Sequence, residues 1–363
     1  MSAQHGTGMT MVLEFRDEGL YCPAGGFHID PWRPVERALV THGHADHSYP
    51  GHRHYLATRA ALPVMRHRLG EIDADGLRYG ETRDIGGVTV SFHPAGHVPG
   101  SAQIRVEHRG EVWVVSGDYK TTPDALSEPW EPVTCHSFIT ECTFGLPVFD
   151  WEDEAVLAAQ LNDWWHGNAA EGRFSVIGAY ALGKAQRVMT MADPSIGPIL
   201  THGAVENTNA VLRAQGIDLP ATVRVTPDLD LRGQSGALVV APPSALAGGW
   251  IRRFTAGAGA STGIASGWMA LRGVRRRRAA DRGFVISDHA DWKGLNAAVR
   301  ATGAERVFAT HGYTTVFRDW LADQGYDAHV VRTEWEGEAL DVPDTDDGVE
   351  AAETPALTEG GAR

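Results

Sequence analysis

The chain has 363 residues, 43% of them hydrophobic and 21% charged, with 42 Gly, 11 Trp and only 3 Cys. Apolar and aromatic residues recur along most of its length, which excludes disorder throughout, and no apolar run of about 18 residues is present to span a membrane. The net charge is −14, but nine acidic residues and one basic residue between Glu336 and Arg363 place −8 there and leave −6 on the body, so acidity does not exclude a nucleic-acid substrate. Cys22, Cys135 and Cys142 cannot form a disulfide framework, and no C-x-x-C pair occurs. Met1 to Thr10 lack the basic start and apolar core of a signal peptide, so the cytoplasm is the expected location.

In chain order, strands are predicted at 9–15, 37–41 and 88–93, followed by a hairpin of 102–108 and 111–116 turning at Arg109-Gly110. A strand at 137–141 precedes a helix near 152–165. Strands at 174–179, 198–201 and 237–241 then alternate with helices at 183–192 and 205–215, the rhythm of a parallel sheet. Two further units close the body: strand 284–287 with helix 292–301, and strand 306–310 with helix 315–324. The glycine stretch Gly257-Ala258-Gly259-Ala260 lacks a P-loop lysine and is read as a loop. The polar, acidic segment 336–363 is read as a disordered tail.

Histidine, at 17 residues, is the unusual number, and its members cluster beside glycine and aspartate. Thr41-His42-Gly43-His44-Ala45-Asp46-His47 follows the apolar run 37–40. His42 and His44 are two apart, so in extended backbone they face the same way and can share one cation. Asp46 and His47 fall on the turn beyond and can reach a second site. Imidazole nitrogen with carboxylate oxygen suits zinc, or manganese where oxygen dominates. An apolar strand ending in a ligand-type residue recurs at His97, Asp118, His289 and His311. One histidine after a strand is usually a turn residue; several in one chain point to a converging centre. Asp30, just before Pro31, either orients a ligand histidine or serves as a turn residue.

These motifs resemble metallo-β-lactamase-fold nucleases of the β-CASP group. Ala181-Leu182-Gly183-Lys184-Ala185-Gln186 is similar to the strand–helix element of that group's inserted cap. Ser116-Gly117-Asp118-Tyr119-Lys120, Ser266-Gly267-Trp268-Met269 and Ser287-Asp288-His289-Ala290-Asp291-Trp292 resemble the bacterial ligase-associated DNA exonucleases. The resemblance implies an αββα core from 1–146 and 284–335, with an α/β cap at 147–283. It implies two divalent metals: His42, His44 and His97 hold one, Asp46, His47 and His311 the other, and Asp118 bridges them. Such a pair generates a nucleophile from water at neutral pH and neutralises phosphate charge. Beside Asp46, the catalytic candidates are His289 as general acid and Glu141 against it, raising its pKa; Glu141 could otherwise be a helix-start or surface carboxylate.

Arg272 to Arg282 holds six arginines, among them Arg275 and Arg276, which suit phosphate contacts or, alternatively, a solvated helix face. Lys120 and Lys184, with Ser101 and Tyr180, are further candidates for substrate contact. Trp268 could stack on a base or lie buried beside Met269. The expected activity is a two-metal phosphodiester hydrolase, an exonuclease on DNA in repair, partnered with a ligase or helicase system. The alternative is RNA processing, because His311 is the residue type of RNA-acting members. The long insertion between Glu141 and His289 argues against a small-molecule hydrolase, and the filled ligand positions argue against a non-catalytic scaffold. Oligomeric state and polarity of digestion are not legible.

Overall fold

The computed structural model describes residues 11–255, 259–277 and 280–331. Its architecture is mixed α/β. Strands β1 (Glu14–Arg16), β2 (Gly19–Cys22), β3 (Phe27–Ile29), β4 (Arg37–Leu39) and β5 (His54–Thr58), then helix α1 (Leu62–Leu69) and strand β6 (Ala74–Leu77), open the chain. The six strands form one sheet in chain order, antiparallel up to β3 and parallel from β3 to β6. Next come β7 (Thr82–Ile85), β8 (Val88–Pro94), β9 (Ala102–His108), β10 (Glu111–Val115) and β11 (Ser137–Cys142). β7 to β10 form a meander, and the β9–β10 turn has Arg109 at φ +52° and Gly110 at φ +82°, the double positive-φ turn that matches strand twist.

After α2 (Glu154–Ala170) the chain builds a third, wholly parallel sheet. Its members are β12 (Phe174–Gly178), α3 (Lys184–Met191), β13 (Ile199–Thr201), α4 (Gly203–Ala214), β14 (Val223–Arg224), β15 (Leu238–Ala241), α5 (Pro243–Ala247), β16 (Ala260–Ala265), α6 (Arg272–Arg277) and β17 (Arg282–Phe284). The strand order is β14-β13-β15-β12-β16-β17. The chain then returns through α7 (Trp292–Thr302), β18 (Arg306–Gly312), α8 (Thr314–Asp323) and β19 (Asp327–Val330), and β18 pairs with β11 to complete the second sheet.

Period-two alternation sorts these strands into layers. Ile139 of β11 faces a core shared by the first two sheets, with Leu39, Leu56, Phe92, Ile104 and Trp113, while Phe138 faces Leu295, Val299 and Phe317 of α7 and α8. The outer face of the first sheet, through Ala38 and Tyr55, packs on Leu62 and Met65 of α1. The result is helix, sheet, sheet, helix. The parallel sheet is likewise covered on both faces, by α2 to α4 around Trp165 and by Leu246, Trp250 and Phe254. Trp164 and Trp165 belong to that core.

Several expectations need correction. The strand read at 284–287 ends at Phe284, because its partner β16 stops at Ala265 and Ser266 there caps a 3-10 turn, leaving residues 285–287 nothing to pair with. Ala260, read as loop, opens β16, whose small residues are held between β12 and β17. The first strand starts at Glu14, and residues 9 and 10 lie outside the described residues, as does the tail at 336–363. The sequence pattern does not predict β2, β3, β5, β6, β7, β14 and β19, nor helices α1, α5 and α6. Among the described residues no helix is long and apolar enough to cross a membrane.

Ile104 is fully buried between the first two sheets. Ile104→Ala is expected to lower stability by about 2–5 kcal/mol, read from the urea midpoint in the presence of a chelator.

Candidate metal centre

Strands β4, β8, β10, β11 and β18 all deliver a candidate residue at, or just past, their C-terminal ends. His42, His44, Asp46 and His47 do not lie on extended backbone, since β4 stops at Leu39; a turn brings them together instead. His97 follows β8 in the 95–101 loop, and Asp118 follows β10. Gly117 has φ +55°, and a Cβ there would sit 2.6 Å from Thr41 Cβ, so only glycine lets the Asp118 turn press against the histidine turn. β11 pairs Glu141 with Thr310 but Cys142 with Gly312, so His311 is the extra residue of a bulge, at φ +54°. Strict alternation would place His311 with Val307 and Ala309 on the helix-covered face. The bulge re-aims it toward Asp118.

One group of donor atoms comprises His42 Nε2, His44 Nδ1, His97 Nε2 and Asp118 Oδ2. His44 Nδ1 lies 3.1 Å from His42 Nε2 and 3.0 Å from His97 Nε2, and Asp118 Oδ2 lies 3.6 and 3.8 Å from His42 and His97. A second group has His47 Nε2 3.4 Å from Asp118 Oδ2 and 3.7 Å from Asp46 Oδ2, with His311 Nδ1 3.7 Å from Asp118 Oδ1. Asp118 belongs to both.

The outward nitrogens decide what the inward ones can do. His97 Nδ1 donates to the Asp288 carbonyl at 2.8 Å, and His44 Nε2 to the Leu182 carbonyl at 3.2 Å. His47 Nδ1 donates to Asp30 Oδ2 at 2.8 Å. Thr41 Oγ1 gives its proton to Asp30 at 2.6 Å, so it accepts from His42 Nδ1 at 3.1 Å. In neutral rings each inward nitrogen is then a lone pair. Three lone pairs facing one another about a carboxylate have no donor among them and fit a divalent cation. His47 Nε2 and Asp118 Oδ1, buried without hydrogen-bond partners, fit the same conclusion. Burial, reinforced by neighbouring histidines, pushes His42 and His97 well below the usual imidazole range and keeps them neutral. For His47 burial opposes charge, but Asp118 and Asp46 outweigh it; the same negative field would hold a cation.

Beside this cluster His289 Nδ1 lies 2.9 Å from Glu141 Oε1, and Glu141 is fixed by Tyr119 N at 2.9 Å and by Thr143 Oγ1 at 2.6 Å. Burial lowers the His289 pKa, yet the Glu141 carboxylate outweighs it and raises it to about 10. Trp151 Nε1 holds the His289 carbonyl at 2.9 Å.

The sequence candidates for substrate contact fare differently. Lys120, 7% exposed, turns inward to Thr122 O at 2.7 Å and Asp124 at 3.1 Å. Lys184, 1% exposed, faces Asp288 at 3.2 Å and the Tyr180 ring at 4.4 Å. Ser101 is buried and accepts from the His97 and Val98 amides, so it shapes the His97 loop. All three make polar contacts within the fold. Tyr180 is half-buried, and Arg275 and Arg276 are exposed on α6. Trp268 is buried against Phe144 and Phe149. Sequence reasoning missed Thr41, the Leu182 carbonyl, Asp124, Asp288 and Arg187; only the charged pair Lys184 and Arg187, three apart on a helix, offered a signal.

No family model matches the chain. A protein of Opitutus terrae named a probable DNA ligase is 30% identical over 317 residues, covering 86% of this chain and 30% of that protein. A ribonuclease of Thermus thermophilus is 31% identical over 147 residues, 33% of this chain and 34% of the relative. An endoribonuclease of Saccharomyces cerevisiae is 29% identical over 117 residues, 32% of this chain and 15% of that protein. The chain thus spans about a third or less of the length of these relatives. A solved structure of a protein of unknown function from Enterococcus faecalis matches in fold with TM-score 0.56 at 12% identity, covering 83% of this chain and 80% of that one. The ligase-named and ribonuclease-named relatives together fit a similarity to the β-CASP group of nucleases.

Asp30→Asn weakens the carboxylate that accepts from both His47 Nδ1 and Thr41, the partner of His42, and leaves the His44 and His97 contacts in place. Titration with zinc is expected to show the His47 site weakened about 10–100-fold and the His42, His44 and His97 site weakened less.

Proposed function

We propose that the chain is a metal-dependent phosphodiester hydrolase acting on nucleic acid, with DNA as the preferred substrate. The observation that carries this reading is the convergence of inward imidazole lone pairs on Asp118 beside a hydrogen-bonded His289–Glu141 pair. In this reading His42, His44 and His97 hold one cation, Asp46, His47 and His311 the other, and Asp118 is shared. Zinc suits this donor set and manganese is the second choice. Bound there, two divalent cations lower the pKa of water toward about 7 and neutralise phosphate oxygens. The protein's own groups do the rest. Glu141 takes the Nδ1 proton of His289 into a hydrogen bond and leaves Nε2–H to protonate the departing oxygen. Asp30 and the Leu182 and Asp288 carbonyls hold the imidazoles in the tautomer that turns lone pairs inward.

The layered helix–sheet–sheet–helix body supports a metallo-β-lactamase αββα core from 1–146 and 284–335, and the parallel sheet inserted between β11 and β18 supports a β-CASP cap at 147–283. DNA as substrate, exonucleolytic action and a place in repair with a ligase or helicase are favoured by the ligase-named relative, whose similarity runs over 86% of the chain. Action on RNA is the second reading, favoured by the ribonuclease-named relatives.

Incubation of the purified chain with end-labelled single-stranded DNA, duplex DNA and RNA, with zinc or manganese, tests both. Mononucleotide release from DNA is expected; degradation of RNA alone would replace the first reading by the second. Asp118→Ala and His289→Ala are each expected to lose activity by about 10²–10⁴-fold, with metal content falling only in the former. Glu141→Gln removes the carboxylate that keeps His289 charged. Its pKa then falls, so the alkaline limb of the pH–rate profile is expected to move to lower pH.

A further inference from the structure

Residues 182–187, the connector into α3 and its first turn, touch the donor cluster on one side only. His44 is oriented by the Leu182 carbonyl at 3.2 Å. Gly183 has φ +85°, and a Cβ there would lie 2.4 Å from Val98 Cγ1, so the connector is pressed onto the loop that carries His97. Lys184 Nζ lies 3.2 Å from Asp288 Oδ1. Arg187, 2% exposed, donates Nη1 to the Ser287 carbonyl at 3.0 Å and Nη2 to the His97 carbonyl at 3.4 Å, and also pairs with Asp124.

Those two carbonyls flank a specific bond. His97 Nδ1 donates to the carbonyl of Asp288, the residue after Ser287. Arg187 therefore grips the chain at both ends of the hydrogen bond that aims His97, a task for a planar fork rather than a single ammonium. The other donors are aimed without this segment: His42 by Thr41, His47 by Asp30, and His311 by its bulge.

We propose that residues 182–187 orient the His44 and His97 donors of the cation site they share with His42, and no donor of the other site, with Arg187 as the positioning residue, so that cation binding there and the seating of α3 are one coupled equilibrium. This rests on the reading of the cluster as a two-cation centre. Coupling is reciprocal: if seated α3 raises the affinity of that site, a cation in that site holds α3 in place by the same factor. A ligand histidine that loses its outward partner gives up about 10–100-fold in metal affinity.

The test uses the full chain, freed of metal and titrated with zinc against a chromophoric chelator, with hydrogen exchange followed at the amides of α3. The wild type is expected to bind zinc at two sites and to slow α3 exchange on filling the first. Arg187→Lys keeps the charge and loses the fork; it is expected to weaken one site about 10–100-fold, spare the other and lose most of the zinc-dependent protection of α3. His311→Ala, the comparator, removes a donor of the opposite site alone, weakens that site and keeps that protection. Equal weakening of both sites in Arg187→Lys, weakening of neither, or α3 exchange indifferent to zinc would overturn the proposal while leaving the two-cation reading intact. A wild type that takes up no zinc would overturn that reading and the proposal with it. Should Arg187→Lys not fold, Lys184→Gln, which loosens the same connector, carries the same expectations.

Discussion

Imidazole lone pairs held about 3 Å apart around a buried carboxylate repel one another and attract a cation, and much of this protein is arranged to keep them in that position. Each ring is fixed from behind. A carbonyl, a carboxylate or a hydroxyl takes the outward N–H, which both sets the tautomer and stops the ring from turning away. The supporting groups come from distant parts of the chain: Asp30 before β4, Leu182 before α3 and Asp288 after β17. Such a site exists only when both the first two sheets and the parallel sheet are in register. Its geometry is a property of the whole fold rather than of the histidine-rich turn.

The contact between the parallel sheet and the rest sets buried ion pairs beside apolar clusters such as Val98 with Leu182 and Phe144 with Trp268. Lys184 with Asp288, and Arg187 and Lys120 with Asp124, are ion pairs buried to a few per cent exposure. Burial raises the Asp124 carboxyl, but Arg187 and Lys120 outweigh it and hold it below the ordinary carboxylate range. Ion pairs of this kind contribute little net stability, because desolvation offsets most of the attraction, but they tolerate few alternative positions. An apolar contact at this place could slide. The charged one specifies where α3 sits, and α3 in turn faces the loop that carries His97.

The body of the chain is itself acidic, and the two lysines that the sequence offered are folded inward. Arg272, Arg275 and Arg276 of α6 are exposed. Such local positive charge governs phosphate contact more than the net total does, and its contribution weakens as salt rises.

The donor set, its order and its delivery by strand ends were legible in the sequence, because ligand chemistry is a matter of residue type and strands announce themselves by local period. The hairpin at Arg109-Gly110 and the strand–helix rhythm of the parallel sheet were legible for the same reason. Local sequence leaves Asp30 between a turn residue and an orienting one; in the fold it accepts from His47 Nδ1. Other features depended on contacts that no local pattern encodes. Lys120 and Lys184 look like phosphate ligands until Asp124 and Asp288 are seen to claim them. His311 reaches Asp118 only because the register slips by one residue between β11 and β18. Which imidazole nitrogen faces inward is set by partners such as the Leu182 carbonyl, 138 positions from His44. Composition and spacing settled which atoms could bind a cation; long-range packing alone settled which of them point at one another, since a ring nitrogen's role is fixed by whatever its opposite face touches.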